Sequence, residues 1–266
     1  MTEPLLSVRN ITKRFGGLVA VNNVSCEINR GEVFGLLGDN AAGKSTLIKC
    51  ISGVYRADEG EIVFEGRRVQ FAHPIDARRH GIETIYQDLA LANNLDVGAN
   101  IFLGREVKKR HFGGLINTLD DQHMLRESRQ TLDSLQIHFP TLTEPIETLS
   151  GGQRQAVAIA RAVYWDAKLM IMDEPTNNLG VPEQKKVLDL IRRLRDHGVP
   201  VILITHILPD VFAVTDRLIV MHRGRKVAER RTAATNTEEL VQYMVGARDD
   251  ANEGVGGQPR ETPSPH

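Results

Sequence analysis

The sequence predicts an α/β fold built on a parallel sheet, with an antiparallel β layer towards its N-terminus and a helical subdomain inserted into the core. Three observations lead there. Val33-Phe34-Gly35-Leu36-Leu37, Leu169-Met170-Ile171-Met172 and Val201-Ile202-Leu203-Ile204 are apolar runs with no polar alternation, as in parallel strands buried on both faces. Each run delivers chemically capable residues at its end: Gly38, Asp173-Glu174 and Thr205-His206. Ligands of open α/β sheets bind beyond the carboxyl ends of the strands, so the three ends point to one shared site.

The N-terminal β layer rests on Leu6 to Asn10, Val24 to Ile28 and Glu61 to Phe64, short runs rich in β-branched residues and separated by turn residues. From Leu89 to Trp165 the patterns are mostly helical, broken by a basic, Gly-containing stretch from Lys108 to Gly114. Its Lys108-Lys109-Arg110 run reads as a solvated loop. Ser150 stands where an N-cap would precede a helix over 151–163. From Pro182 to His197, Val187, Leu190, Ile191 and Leu194 recur at helical spacing, with Pro at the start and Gly198 at the stop. From Ala247 to His266 almost nothing is apolar, so that segment is expected to be a disordered tail. The predicted organisation is a core with its β layer over 1–88 and 166–246, a helical subdomain over 89–165, and the tail over 247–266.

Composition narrows the function. The 266 residues carry 33 Lys+Arg against 34 Asp+Glu, a formal net charge of −1, which is not the footprint of a general nucleic-acid binder. Cys26 and Cys50 are too few for a disulfide scaffold and read as small buried hydrophobes. None of the nine histidines stands at zinc spacing from a cysteine. No apolar run approaches the roughly 18 residues of a spanning helix, and Met1-Thr2-Glu3-Pro4 does not open a signal peptide. The expectation is a cytosolic chain whose membrane role, if any, comes through a partner.

The chemistry is carried by three segments. Gly38-Asp39-Asn40-Ala41-Ala42-Gly43-Lys44-Ser45 fits G-x-x-x-x-G-K-[ST] between a strand and a helical pattern. Backbone N–H groups of such a loop and the helix N-terminus hold phosphates. Lys44 then reaches the β- and γ-phosphates, and the Ser45 hydroxyl ligates Mg²⁺. Ala41 sits where glycine would be easier to accommodate; if the loop needs positive φ there, alanine costs about 1 kcal/mol or more. Asp173 is placed to hold Mg²⁺ and Glu174 to orient the attacking water. Leu149-Ser150-Gly151-Gly152-Gln153 opens a helix whose N-terminus reads as a second bare anion site. One nucleotide could use both phosphate elements across a head-to-tail dimer.

Together these segments resemble the ATP-binding cassette of an ABC transporter. Gly38, Asp39, Asn40, Ala41, Ala42, Gly43, Lys44, Ser45 and Thr46 match Walker A, and Tyr86-Gln87-Asp88 matches the Q-loop. Leu149 to Gln153 matches the signature motif, Leu169 to Asp173 matches Walker B followed by Glu174, and His206 matches the switch histidine. Phe15, in Thr12-Lys13-Arg14-Phe15-Gly16, stands where the family stacks an aromatic ring on adenine. The resemblance spans about 5–245. It implies a P-loop NTPase (RecA-like) core that hydrolyses ATP with Mg²⁺. Lys44, Glu174 and His206 are implied as catalytic. Ser45, Gln87 and Asp173 are implied around the metal. Ser150, Gly151, Gly152 and Gln153 are implied to close on the nucleotide of a second cassette, identical or paralogous.

Gly38-Asp39-Asn40, Ser52-Gly53-Val54-Tyr55, Ile85 to Leu91 and Asn100 to Glu106 are more closely similar to carbohydrate importers of the ribose, xylose and fructose kind. That branch implies transmembrane permease subunits docked near Asp88 to Leu103, an external sugar-binding protein acting indirectly, and a place at the cytoplasmic face of the membrane. The chain departs from the family at Ala41, where glycine is usual, and at Gly180, where the wider family often has aspartate. Rival readings are a cassette serving another cargo, a poorly hydrolysing regulatory cassette, and a non-transport ATPase acting on ribosomes or DNA. The last usually brings paired cassettes or basic extensions, which the sequence lacks.

Overall fold

The computed structural model describes residues 3–111 and 116–250. The chain opens with an antiparallel hairpin of β1 (Leu6–Phe15) and β2 (Leu18–Ile28). Next come β3 (Val33–Leu37) and α1 (Lys44–Ile51). β4 (Glu59–Phe64) and β5 (Arg67–Val69) complete a four-stranded antiparallel sheet in the order β2-β1-β4-β5. After α2 (Pro74–Arg79) and β6 (Ile82–Ile85), the chain leaves the core through α3 (Val97–Ile101), the hairpin β7 (Lys108–His111) and β8 (Ile116–Leu119), α4 (Asp121–Ser134) and α5 (Gly151–Tyr164). It returns through β9 (Leu169–Asp173), α6 (Val181–Asp196), β10 (Val201–Ile204) and α7 (Leu208–Val214). The last elements are β11 (Arg217–His222), β12 (Arg225–Arg231) and α8 (Thr237–Met244).

The central sheet has the order β12-β11-β3-β10-β9-β6. β11, β3, β10, β9 and β6 pair in parallel, and β12 closes one edge antiparallel to β11. The three apolar runs of the sequence are therefore the adjacent strands β3, β10 and β9. Their burial is two-sided, because successive residues of a strand point to opposite faces. Met170, Met172, Val201 and Leu203 pack into a core shared with α3, α4, α5 and α6. Leu169, Ile171, Ile202 and Ile204 pack into a separate core with α1 and the β layer.

Two expectations change. The Lys108-Lys109-Arg110 run is not a loop: it lies on β7, paired antiparallel with β8, and Lys109 Nζ is 2.8 Å from an Asp120 carboxylate oxygen. The rest of that basic stretch, 112–114, lies outside the described residues. At the C-terminus, residues 247–250 belong to the fold. Arg230 donates to both Asp250 carboxylate oxygens at 2.6 and 2.8 Å, and the Tyr243 hydroxyl donates to one of them at 2.5 Å. Charge made this segment look like a tail, whereas its partner lies 20 residues upstream on β12. The expected tail from 251 onward lies outside the described residues.

The segment leaving β6 is held by one buried amide. Asn100, fully buried on α3, accepts from Ala92 N–H at 2.8 Å. Its Nδ2 donates to the carbonyls of Ala92, Leu95 and Asp96 at 3.1, 3.2 and 2.9 Å. The three carbonyls each keep a backbone donor, from Leu95, Ile146 and Asn100 N–H, but removing the side chain would leave the part-buried Ala92 N–H without its partner, at a cost of order 1–3 kcal/mol. Asn100→Ala should therefore lower stability by about 2 kcal/mol in denaturant unfolding and speed amide exchange at Ala92. A loss within measurement error would mean that water takes over the amide's bonds.

Candidate active site

The loop between β3 and α1 is shaped by close backbone contacts. Gly38 has φ +147°, and a Cβ there would lie 2.3 Å from the Met221 carbonyl oxygen. Gly43 has φ +100°, and its Cβ would lie 2.5 Å from the Ala20 carbonyl oxygen. Only glycine fits either position. Ala41 also takes positive φ, +64°, so the alanine is strained by about 1–2 kcal/mol. Lys44 folds back over the loop and donates to the carbonyls of Gly38 and Asp39 at 2.8 and 3.0 Å. Burial lowers its pKa, opposed by Glu174, Asp173 and Asp39. α1 has no side-chain cap and no acidic residue in its first turn, so its N-terminal N–H groups are free to meet an anion.

Both carboxylates arrive from β9, on the far side of β10 from the loop. Asp173 ends β9; burial raises its pKa, Glu174 adds to that, and Lys44 and Lys49 oppose it. Glu174 follows with φ +50° and donates its N–H to the Ile204 carbonyl at 2.9 Å. His206, just beyond β10, has Nδ1 3.0 Å from Glu174 Oε1. The Asn177 amide donates to Glu174 Oε2. Both oxygens of the Glu174 carboxylate are thus engaged, one from each side.

A cleft of about 650 Å³ gathers Phe15, the loop from Asn40 to Thr46, Gln87, Asp173 and Glu174. Gly38 and Asp39 hold Lys44 from behind it. Phe15 is 43 % exposed and meets Tyr55 edge-on, ring centroids 5.2 Å apart. Sequence reasoning missed Leu18, Val19 and Ala20, which extend the apolar end of the cleft, and Arg223 and Gly224 from the β11–β12 turn. It also missed Asn177. The Arg223-Gly224 pair signals a hairpin turn, but its place in the cleft is a long-range fact.

Gln87 also lines an adjoining cleft of about 370 Å³ with Asp173, Glu174 and Gly151. Ser150, Gly152 and Gln153 line a third cleft beside α6. Ser150 caps α5, as its place before the helix predicts. Ser150 Oγ accepts from Gln153 N–H at 3.3 Å, and Gln153 Oε1 accepts from Ser150 N–H at 2.9 Å. This is a reciprocal capping box that uses both side chains as acceptors, which leaves the Ser150 hydroxyl hydrogen and the Gln153 amide N–H groups able to donate to an anion.

The Ser45 hydroxyl, Gln87 amide and Asp173 carboxylate all line the main cleft. They are hard oxygen donors. The described residues bring no three His, Cys, Asp or Glu together as a metal cluster. That combination fits Mg²⁺, which is usually held by one or two protein oxygens together with substrate phosphates.

Among the described residues, no helix is long and apolar enough to cross a membrane. The family model described as ABC transporter matches residues 21–177. The xylose/arabinose import ATP-binding protein of Sulfolobus acidocaldarius is 51 % identical over 240 residues, 90 % of this chain and 93 % of that protein. The fructose import ATP-binding protein of Rhizobium meliloti is 42 % identical over 255 residues, 95 % of this chain and 98 % of that protein. A nucleotide-free ATP-binding cassette from an ABC transporter superposes with a TM-score of 0.77 at 27 % identity, covering 92 % of this chain and 96 % of that one. With a glycine-rich loop after β3 and two carboxylates at the end of β9 in the same parallel sheet, and these likenesses along most of its length, the chain belongs to the ABC transporter family, as one of its ATP-binding cassettes.

Proposed function

We propose that the chain is the ATP-hydrolysing subunit of an importer for a pentose, fructose or a related sugar, working through separate membrane permease subunits. The convergence of the phosphate loop, Asp173 and the Glu174–His206 pair on one cleft carries the hydrolytic part. The sugar rests on the names of the xylose/arabinose and fructose relatives, since no residue of a cassette needs to touch the cargo.

In this reading the N-terminus of α1 and Lys44 hold the β- and γ-phosphates, and Phe15 packs against the base. Ser45, Asp173 and Gln87 would hold Mg²⁺, which when bound neutralises charge on the phosphates. Glu174 takes a proton from the attacking water, while His206 and Asn177 fix its carboxylate. Its partners hold the base in one orientation, and catalysis of this kind is chiefly positioning and charge stabilisation. Within one chain, Ser150 to Gln153 lie outside the main cleft, so a second cassette, identical or paralogous, supplies them to the phosphates. Gln87 lies in both adjoining clefts and links nucleotide to the helical subdomain. The permease is expected to dock near Asp88 to Leu103, keeping the chain peripheral at the cytoplasmic face. No nucleic-acid partner is expected.

Ala41 favours a second reading, a cassette that binds nucleotide but turns over poorly, because its φ of +64° strains the loop that wraps the phosphates.

Glu174→Gln should retain ATP binding and lower steady-state hydrolysis at least about 100-fold, with dimers accumulating in ATP. Turnover equal to wild type, measured by phosphate release, would remove Glu174 from the role of base. Ala41→Gly should hold or raise ATP affinity. Thermal melts should show a gain of up to about 1 kcal/mol, the relieved strain being partly offset by the freer unfolded chain. A clear loss of affinity would mean that Ala41 is fitted to its loop. Wild-type protein that hydrolyses slowly with its permease, together with Ala41→Gly that hydrolyses well, would establish the second reading.

A further inference from the structure

The main cleft is lined by two cations, Lys44 and Arg223. They are placed very differently. Lys44 is buried and bonded to two loop carbonyls. Arg223 is exposed, and no carboxylate among the described residues forms an ion pair with it. Its position is nonetheless fixed. Gly224 donates its N–H to the Ala42 carbonyl at 2.9 Å and accepts from Asn22 N–H at 2.8 Å. A Cβ on Gly43, the residue that caps α1, would meet Gly224 Cα at 3.2 Å. The β11–β12 turn is therefore seated directly against the phosphate loop.

That turn is strained. Arg223 has φ +46° and Gly224 φ +79°, the pair of positive φ angles that a two-residue hairpin of the primed type requires. Asn or Gly would sit there at lower cost, and strain held at a ligand cleft is grounds for a functional hypothesis. The cleft is lined by the apolar Phe15, Leu18 and Val19 and by the charged Lys44, Asp173 and Glu174. Gly224, next to Arg223, lies against Val19 and Ala20 on one side and Ala42 and Gly43 on the other, so the turn sits between the apolar lining and Lys44. A nucleoside triphosphate spanning the cleft has one anion at that middle position, its α-phosphate.

We propose that Arg223 is a nucleotide-binding residue whose guanidinium pairs with the α-phosphate. This rests on the reading of the cleft as the nucleotide site. It makes Arg223 a contact shared by ATP and ADP alike, so it tightens binding of both without distinguishing them.

The test is calorimetric titration of the full chain with ADP and with a non-hydrolysable ATP analogue. Arg223→Asn keeps a residue that tolerates positive φ and removes only the charge; thermal melting checks that it folds. It should weaken both nucleotides equally, by about ten-fold at low salt, and the difference should shrink as salt is raised. Arg223→Lys should recover most of the loss. Unchanged ADP affinity in Arg223→Asn would overturn the assignment. So would a loss confined to the triphosphate, or an Arg223→Lys as weak as Arg223→Asn, which would indicate stacking on the base. Lys44→Ala separates the two levels: wild-type binding abolished by it establishes the cleft independently of Arg223. A wild-type chain that binds no ADP overturns the reading of the cleft, and the proposal with it.

Discussion

Everything in the site depends on β3, β10 and β9 running side by side in parallel. Parallel neighbours cannot be joined by a tight turn, so each connection must cross a face of the sheet. The crossovers cover both faces and set the carboxyl ends of β3, β10 and β9 on the same side. Gly38, Asp173 and Glu174, and His206 therefore meet although they lie far apart in the chain. The hydrogen bond from Glu174 N–H to the Ile204 carbonyl ties two of those ends together. The His206–Glu174 contact is a consequence of strand order, not of local sequence.

The helical subdomain follows a different logic. It leaves the core after β6, packs its apolar side chains into the core shared with β9, β10 and α6, and is braced by polar contacts. Arg161 of α5 donates to the carbonyls of Leu89 and Ala90 at 2.9 and 3.0 Å, and Asn100 closes the loop over 92–96. Arg193 of α6 donates to the carbonyls of Leu135 and Gln136 at the end of α4. Gln87 stands at the start of this connection, in contact with both clefts.

Much of this was legible in the sequence, for identifiable reasons. Three unalternating apolar runs fall on β3, β9 and β10, because two-sided burial leaves no other composition available. The helices over 151–164 and 181–196 follow their spacing and caps. What could not be read was long-range or conformational. Ala41 stood out as a place where glycine would be easier, but only the loop's path reveals that its φ is positive. The β7–β8 hairpin was hidden by its basic residues, whose polarity suppresses the strand pattern. Asp250 looked like part of a charged tail because its partners sit on β12 and α8. Ser150 to Gln153 was half read: the serine was recognised as a cap, but the glutamine three residues on, which makes the cap reciprocal, was overlooked.

The alternation along β9 has a further meaning. Leu169 and Ile171 belong to one apolar compartment, with α1 and the β layer, while Met170 and Met172 belong to the other, with α5 and α6. The strand acts as a bulkhead between two rooms. A change of volume in one room must be compensated there and is not felt across the wall. The helical room can be repacked over evolutionary time while the room behind the phosphate loop keeps its furniture. A cassette of this construction can change employers without relearning its trade.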